Sequence, residues 1–162
     1  MAKIILGIDP GIADTGYGLI KDEGGKLTCL AYGSIRTKAG VDLTSRLLAL
    51  NEELDGIIKR YKPDLAAIEQ LFFNKNVRTA LVVGQARGVA LLTLKQNGLP
   101  VIDFTPAQVK RAVSAYGQAP KKQVQKMVQI ILNLAALPQP DDAADALAIA
   151  ICALNSRLCP RN

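Results

Sequence analysis

The sequence predicts an α/β domain built on a mixed central sheet of about five strands with helices on both faces. Three observations carry that reading. Three β-rich runs joined by short turns open the chain, and apolar spacing then switches to helix and strand in alternation. A chain of 162 residues that is 49% hydrophobic and 21% charged supports one core and falls short of two ordinary ones. The expected organisation is one domain over 1–155 and a short disordered tail over 156–162.

Lys3 to Ile8 is a β-branched run closed by Asp9-Pro10-Gly11, a strand followed by a tight turn. Thr15 to Lys21 and Leu27 to Thr37 read as two further strands, and Asp22-Glu23-Gly24-Gly25 between them is a good hairpin connection. From Leu43 the residues Leu43, Leu47, Leu50, Leu54, Ile57 and Tyr61 recur every three or four positions, which predicts a helix stopped by Lys62-Pro63. Asp64 to Glu69 reads as a buried strand. Asn76 to Asn97 is helical, and its small residues (Ala80, Gly84, Ala86, Gly88, Ala90) permit close helix packing. A short strand follows at Pro100 to Phe104, then helices over Pro106 to Ser114, Lys121 to Leu134 and about Asp141 to Asn155.

Composition excludes several chemistries. Apolar stretches are broken by charge short of the roughly 18 to 20 residues a membrane span needs, and the N-terminal run lacks a signal-peptide pattern, so a cytoplasmic protein with no membrane partner is expected. Cys29, Cys152 and Cys159 form no CxxC pair and histidine is absent, which argues against a disulfide scaffold, a zinc site or an imidazole mechanism. Between Gln70 and Ile130 nine basic residues face one acid, Asp103, a net +8 against −2 for the remainder. Charge alone leaves two readings open, a polyanion partner or ordinary solvated helix faces.

Four carboxylates stand where apolar residues would cost less. Strand alternation puts Asp9 on the face of Ile5 and Gly7, and Glu69 on the face of Leu65 and Ala67. Either alone could be a strand-end acid reaching solvent. Asp141 has a sufficient explanation as an acid capping a helix start, and Asp142 shares part of it. Asp145 lies a full turn further on, on the stripe of Ala148, Ile149 and Cys152, and three residues from Asp142 on one helical face. Together Asp9, Glu69, Asp142 and Asp145 share one economical explanation, the ligation of hard cations such as Mg²⁺, with Mn²⁺ an alternative. Two such ions per subunit would suit phosphodiester hydrolysis, and beside the basic middle segment this reads as a nuclease.

The residues also carry a resemblance. Gly7-Ile8-Asp9-Pro10-Gly11 followed by Thr15-Gly16-Tyr17-Gly18, Ile68-Glu69-Gln70 with Phe72, Gly84-Gln85-Ala86-Arg87-Gly88, and the block from Asp142 to Ala150 resemble the RuvC-type Holliday-junction resolvases of bacteria. The blocks run in order from Ile4 to about Ala153. The resemblance implies a ribonuclease-H-like fold and a homodimer that cuts a four-way DNA junction symmetrically, leaving 5′-phosphate and 3′-hydroxyl ends, in company with RuvA and RuvB. It places the family's four catalytic acids on Asp9, Glu69, Asp142 and Asp145, its junction-probing aromatic on Phe72, and basic DNA-binding positions on Lys110 and Lys121. Lys75, Asn76, Arg78, Arg111 and Lys122 are neighbouring candidates for DNA contact.

Departures are visible too. Asp14 adds an acid where the family often carries polar or basic residues, and Ala115 stands where it commonly has a loop glycine. Competing readings are an actin-like kinase or ATPase, which lacks a convincing second phosphate loop here, a ribosomal-RNA-processing nuclease or a transposase domain of the same fold, and a junction-binding module without catalysis.

Overall fold

In a computed structural model the chain is described at residues 2–71 and 77–156. Among the described residues the elements are β1 (Lys3–Asp9), β2 (Asp14–Glu23), β3 (Lys26–Arg36), α1 (Leu43–Tyr61), β4 (Leu65–Glu69), α2 (Val77–Gln96), β5 (Val101–Phe104), α3 (Pro106–Ser114), α4 (Lys121–Ile131) and α5 (Asp141–Asn155). The strands form one sheet in the order β3-β2-β1-β4-β5. β1, β2 and β3 are an antiparallel meander, while β4 and β5 add in parallel on the other side of β1. The mixed sheet predicted from the sequence is thus observed.

β1 is central because it is apolar on both faces. Leu6 and Ile8 face one core with Leu50, Leu54 and Ile58 of α1 and Ala86, Ala90 and Leu94 of α2. Ile5 faces the other, with Leu65 and Ala67 of β4, Val109 and Val113 of α3, Val124 and Val128 of α4, and the length of α5 from Leu147 to Ala153. A parallel pair buried on both sides requires such near-continuous apolar strands. α1 and α2 are tied by polar contacts: the buried Thr93 Oγ1 donates to Asn51 Oδ1 at 2.7 Å, and Asn97 Nδ2 to Asp55 Oδ1 at 2.9 Å.

Local chemistry sets the element ends. Gly24 and Gly25 have φ of 64° and 91°, the two left-handed residues of a tight hairpin. Asp42 caps α1 by accepting from Ser45 N, and Thr105 and Gln108 form a reciprocal capping box at α3. α4 ends at Ile131, three residues before the sequence-predicted Leu134. Asn133 takes φ 49° and Leu134 N bonds back to Gln129 O at 2.9 Å, a left-handed helix stop that asparagine tolerates. Ile58, absent from the predicted α1 stripe, is buried in the core. Cys29 and Cys152 are free. α2 is long and apolar enough to cross a membrane, contrary to the expectation from charge interruption; its Ala86, Ala90, Thr93 and Leu94 are buried within the fold.

Ala115, where a glycine was noted as missing, closes α3 at φ 60° while its N–H bonds to Arg111 O. A Cβ in this region carries a steric cost that glycine lacks. Ala115→Gly should therefore raise stability by about 0.5 to 1 kcal/mol. Urea unfolding would register the gain, and an unchanged or lower midpoint would refute the strain.

Candidate active site

The site starts from a register. In the parallel pair, Ile8 of β1 lies opposite Ile68 of β4, so Asp9 and Glu69 follow side by side at the strands' carboxyl ends. Both belong to the face covered by α5. This helix lies directly on the strand backbones: a Cβ at Gly7 would stand 2.0 Å from Ala146 O, and one at Gly16 would stand 1.9 Å from Asp142 O. Glycine at both places lets the first turns of α5 descend to the ends of β1 and β2. Asp142 and Asp145, three residues apart on one side of α5, then meet Asp9, and the three side chains each offer a carboxylate oxygen within 4.8 Å of the others.

The cluster is electrostatically unfavourable without a cation. Asp9 is pushed from the ordinary 3.8 to about 8, first by burial and then by Asp145, Glu69 and Asp142. Glu69 rises to about 6 through burial and Asp145, with Lys110 opposing. Burial also raises Asp142, aided by Asp14, and raises Asp145 against the pull of Lys121. Oxygen-only donors at this spacing, strained by their own charge, fit a hard divalent cation.

Next to the cluster is a cleft of about 230 Å³ that brings Glu69 and Asp145 together with Lys110 of α3 and Lys121 of α4, over apolar walls from Val109, Val124 and Ala148. Lys121 Nζ sits 3.2 Å from Asp145 Oδ2 and 3.4 Å from Asp141 Oδ2. Three of the predicted acids, Asp9, Asp142 and Asp145, thus form the cluster, while Glu69 lies outside that triad and adjoins it through the cleft it lines with Asp145 and two of the predicted cations. Arg111 lines a separate cavity with Phe104, Gln108 and Cys152, so consecutive positions on α3 serve different surfaces. Lys122 and Arg78 are exposed. Phe72, Lys75 and Asn76, like Phe73 and residues 157–162, lie outside the described residues.

Some residues behave otherwise than the sequence suggested. Asp141 makes no side-chain cap, since Pro140 occupies the cap position; its carboxylate instead takes a 2.8 Å hydrogen bond from Gln125 Nε2 and the Lys121 contact. Arg87, counted among the basic residues, is spent internally. It pairs with Asp103 and donates from Nε to Glu69 O at 3.2 Å, steadying the end of β4. Asp14 accepts from Ser34 Oγ at 2.7 Å and Arg36 Nε at 3.0 Å, so its charge is partnered. The role of Gln125 had no signal in the sequence beyond a glutamine on an amphipathic helix.

A family model described as crossover junction endodeoxyribonuclease RuvC matches residues 5–153. Proteins of that name from Ruminiclostridium cellulolyticum and Heliobacterium modesticaldum are each 54% identical over 153 residues, covering 94% of this chain and 92% and 94% of their own. Another from Chloroflexus aggregans is 56% identical over 147 residues, 91% of this chain and 90% of its own. Among solved structures, Thermus thermophilus RuvC in complex with a Holliday junction substrate matches with a TM-score of 0.89 at 33% identity, over 94% of this chain and 93% of that one. A yeast mitochondrial Holliday junction resolvase has the same fold at a TM-score of 0.64 and 15% identity, over 91% of this chain and 76% of its own.

A carboxyl with a pKa near 8 must lose its proton to become a ligand. Affinity for Mg²⁺ or Mn²⁺ should therefore rise by up to about tenfold per pH unit below pH 8 and level off above it. Calorimetry in buffers of different ionisation heat measures the released proton, and pH-independent affinity would contradict the burial of Asp9. For the metal-free fold, the raised pKa means stability is complete below the ordinary value of 3.8 and is lost as pH climbs towards 8. Asp9→Asn should then stabilise the metal-free protein at pH 8 by on the order of 1 to 2 kcal/mol.

Proposed function

The chain belongs to the RuvC family of crossover junction endodeoxyribonucleases, and from that premise we propose that it cuts four-way DNA junctions with Asp9, Glu69, Asp142 and Asp145 as the metal-binding catalytic acids. The observation that carries the assignment is the convergence of these acids beside one cleft that also holds Lys110 and Lys121. The four carboxylates would hold Mg²⁺, two ions per subunit, with Mn²⁺ as a substitute. Bound there, such ions polarise a phosphodiester and favour its hydrolysis to 5′-phosphate and 3′-hydroxyl ends.

The protein's own groups prepare the site. Asp9 and Glu69, both half-buried, are held at the ends of paired strands. Arg87 fixes the backbone of Glu69 from α2. Lys110 and Lys121 offer positive charge at the cleft, where a DNA phosphate must pass to reach the acids. Arg78, Arg111, Lys122, Lys75, Asn76 and Phe72 are proposed as further contacts, the phenyl ring by stacking on unpaired bases.

A symmetric junction calls for a symmetric enzyme, and α2 supplies a face for a homodimer. Val77, Leu81 and Leu92 are exposed on one stripe of this helix, and between them Gly84 and Gly88 meet no neighbouring atom within 4 Å. An apolar stripe with glycines permits close approach of a second copy about a two-fold axis. The resulting pair of identical sites matches the two like strands of a junction. Action in the cytoplasm alongside RuvA and RuvB completes the proposal.

Incubation with a synthetic four-way junction of mobile core and with matched linear duplex tests it. Paired symmetric nicks in the junction alone, lost with chelator and in Asp145→Asn while binding persists, are expected. Tight binding without cuts across several core sequences would point to a binding module, and cutting of RNA instead to a processing nuclease. Lys121→Ala should weaken junction binding and reduce the slope of log affinity against log salt by about 0.9; an unchanged slope would remove its phosphate contact.

A further inference from the structure

Two side chains that reach the cleft only through Lys121 have no part in the reading above, and both belong to one arrangement. Gln125 on α4 is only 6% exposed, and a buried amide is costly unless it is hydrogen-bonded. Its Nε2 donates to Asp141 Oδ1 at 2.8 Å. The other oxygen of that carboxylate faces Lys121 Nζ at 3.4 Å. Lys121 and Gln125 are four residues apart on α4 and so share a face, while Asp141 reaches them from the first turn of α5. The result is a chain of contacts that runs from the buried α4–α5 seam to the ammonium at the cleft.

Asp141 differs from its neighbours in what else claims it. Asp145 is within reach of Lys121 but also belongs to the carboxylate cluster, where a cation would compete with the ammonium for its oxygens. Asp141 is no member of that cluster. It is therefore the acceptor that remains for Lys121 when Asp145 is engaged. A lysine has a long flexible stem and loses a large rotamer entropy when held, so a fixed acceptor decides where its charge resides.

We propose that Asp141, oriented by the buried Gln125, is a positioning residue that keeps the Lys121 ammonium at the mouth of the acid cleft for the scissile phosphate. The inference rests on the nuclease reading of the site. It assigns Asp141 a task other than helix capping, and it gives the buried Gln125 a purpose beyond packing. The same logic predicts a sign that simple electrostatics would not: removing an acid beside a DNA path should favour DNA binding by charge alone, yet it should slow the cut.

The test uses the full protein carrying Asp141→Asn, with Gln125→Leu as a second variant. Single-turnover cleavage of a four-way junction at saturating enzyme with Mg²⁺ is measured beside junction affinity with chelator present. Asp141→Asn should cleave about 5- to 20-fold more slowly while binding is unchanged or tighter. In a Lys121→Ala background it should cost nothing further, because the two residues act as one unit. Gln125→Leu should show a loss in the same direction that also vanishes in that background. A wild-type rate for Asp141→Asn, or a loss that persists without Lys121, would overturn the proposal. The ¹⁵Nζ resonance of Lys121 in the metal-free protein is an independent readout: it should shift in both variants, and an unperturbed resonance would equally overturn the placement. Because that signal needs no cleavage, it separates this inference from the nuclease reading, which falls only if the wild-type protein leaves junctions uncut.

Discussion

The seating of α5 on bare strand backbone is the constraint on which the rest of the molecule depends. A helix normally rides on the side chains of a sheet at about 10 Å. Here Gly7 and Gly16 present no side chain to it, and the helix answers with alanines at Ala143, Ala144, Ala146, Ala148, Ala150 and Ala153, all buried. The close approach does two things at once. It closes the core on that face of the sheet, and it brings the first turn of the helix level with the carboxyl ends of β1 and β4. Asp142 and Asp145 of the helix can meet Asp9 of β1, with Glu69 alongside, only because that gap is narrow.

Such a meeting is expensive for the protein by itself. Burial raises the pKa of all four carboxylates, and at Asp9 the charges of Asp145, Glu69 and Asp142 raise it further. The fold tolerates the cost because the surrounding contacts are stiff: the parallel register of β1 and β4, the Arg87 contact to the Glu69 backbone, and the continuous apolar seam of α5. Lys121 partly offsets the charge. A site that is unfavourable when empty and favourable around a cation is the expected signature of function opposing stability. Lys110 and Lys121 set positive charge, which attracts phosphate, beside that site.

Much of this was legible in the residues. Period-two alternation put Asp9 and Glu69 on a buried face, and the stripe through Ala148, Ile149 and Cys152 marked Asp145 as too deep in its helix to be a cap. Turn chemistry was equally readable at Gly24-Gly25, whereas the caps at Asp42 and Thr105 emerge only in the structure. What stayed hidden depends on contacts between distant segments. Arg87 looked like part of a basic surface because nothing local reveals that Asp103 of β5 and the end of β4 lie against it. Asp141 had a sufficient local explanation, of which the geometry at Pro140 removes the cap and leaves the favourable charge at the helix start. The end of α4 was missed because the stop signal is a single Asn133 in a left-handed conformation, whereas the apolar periodicity continues to Leu134. Arg111, adjacent to Lys110 in sequence, lines a different cavity, so a DNA contact made by it would lie outside the acid cleft.

Cation affinity in Gly16→Ala tests directly whether the acid cluster depends on the seating of α5 on the sheet. One added methyl has no space against the Asp142 carbonyl, and α5 must lift to admit it. Calorimetric titration with Mn²⁺, alongside circular dichroism to establish that the sheet and helices persist, measures the consequence. A folded Gly16→Ala protein should bind Mn²⁺ at least about tenfold more weakly than wild type. Wild-type affinity in that variant would contradict it, because the acid cluster would then not depend on the close approach of α5 to the sheet.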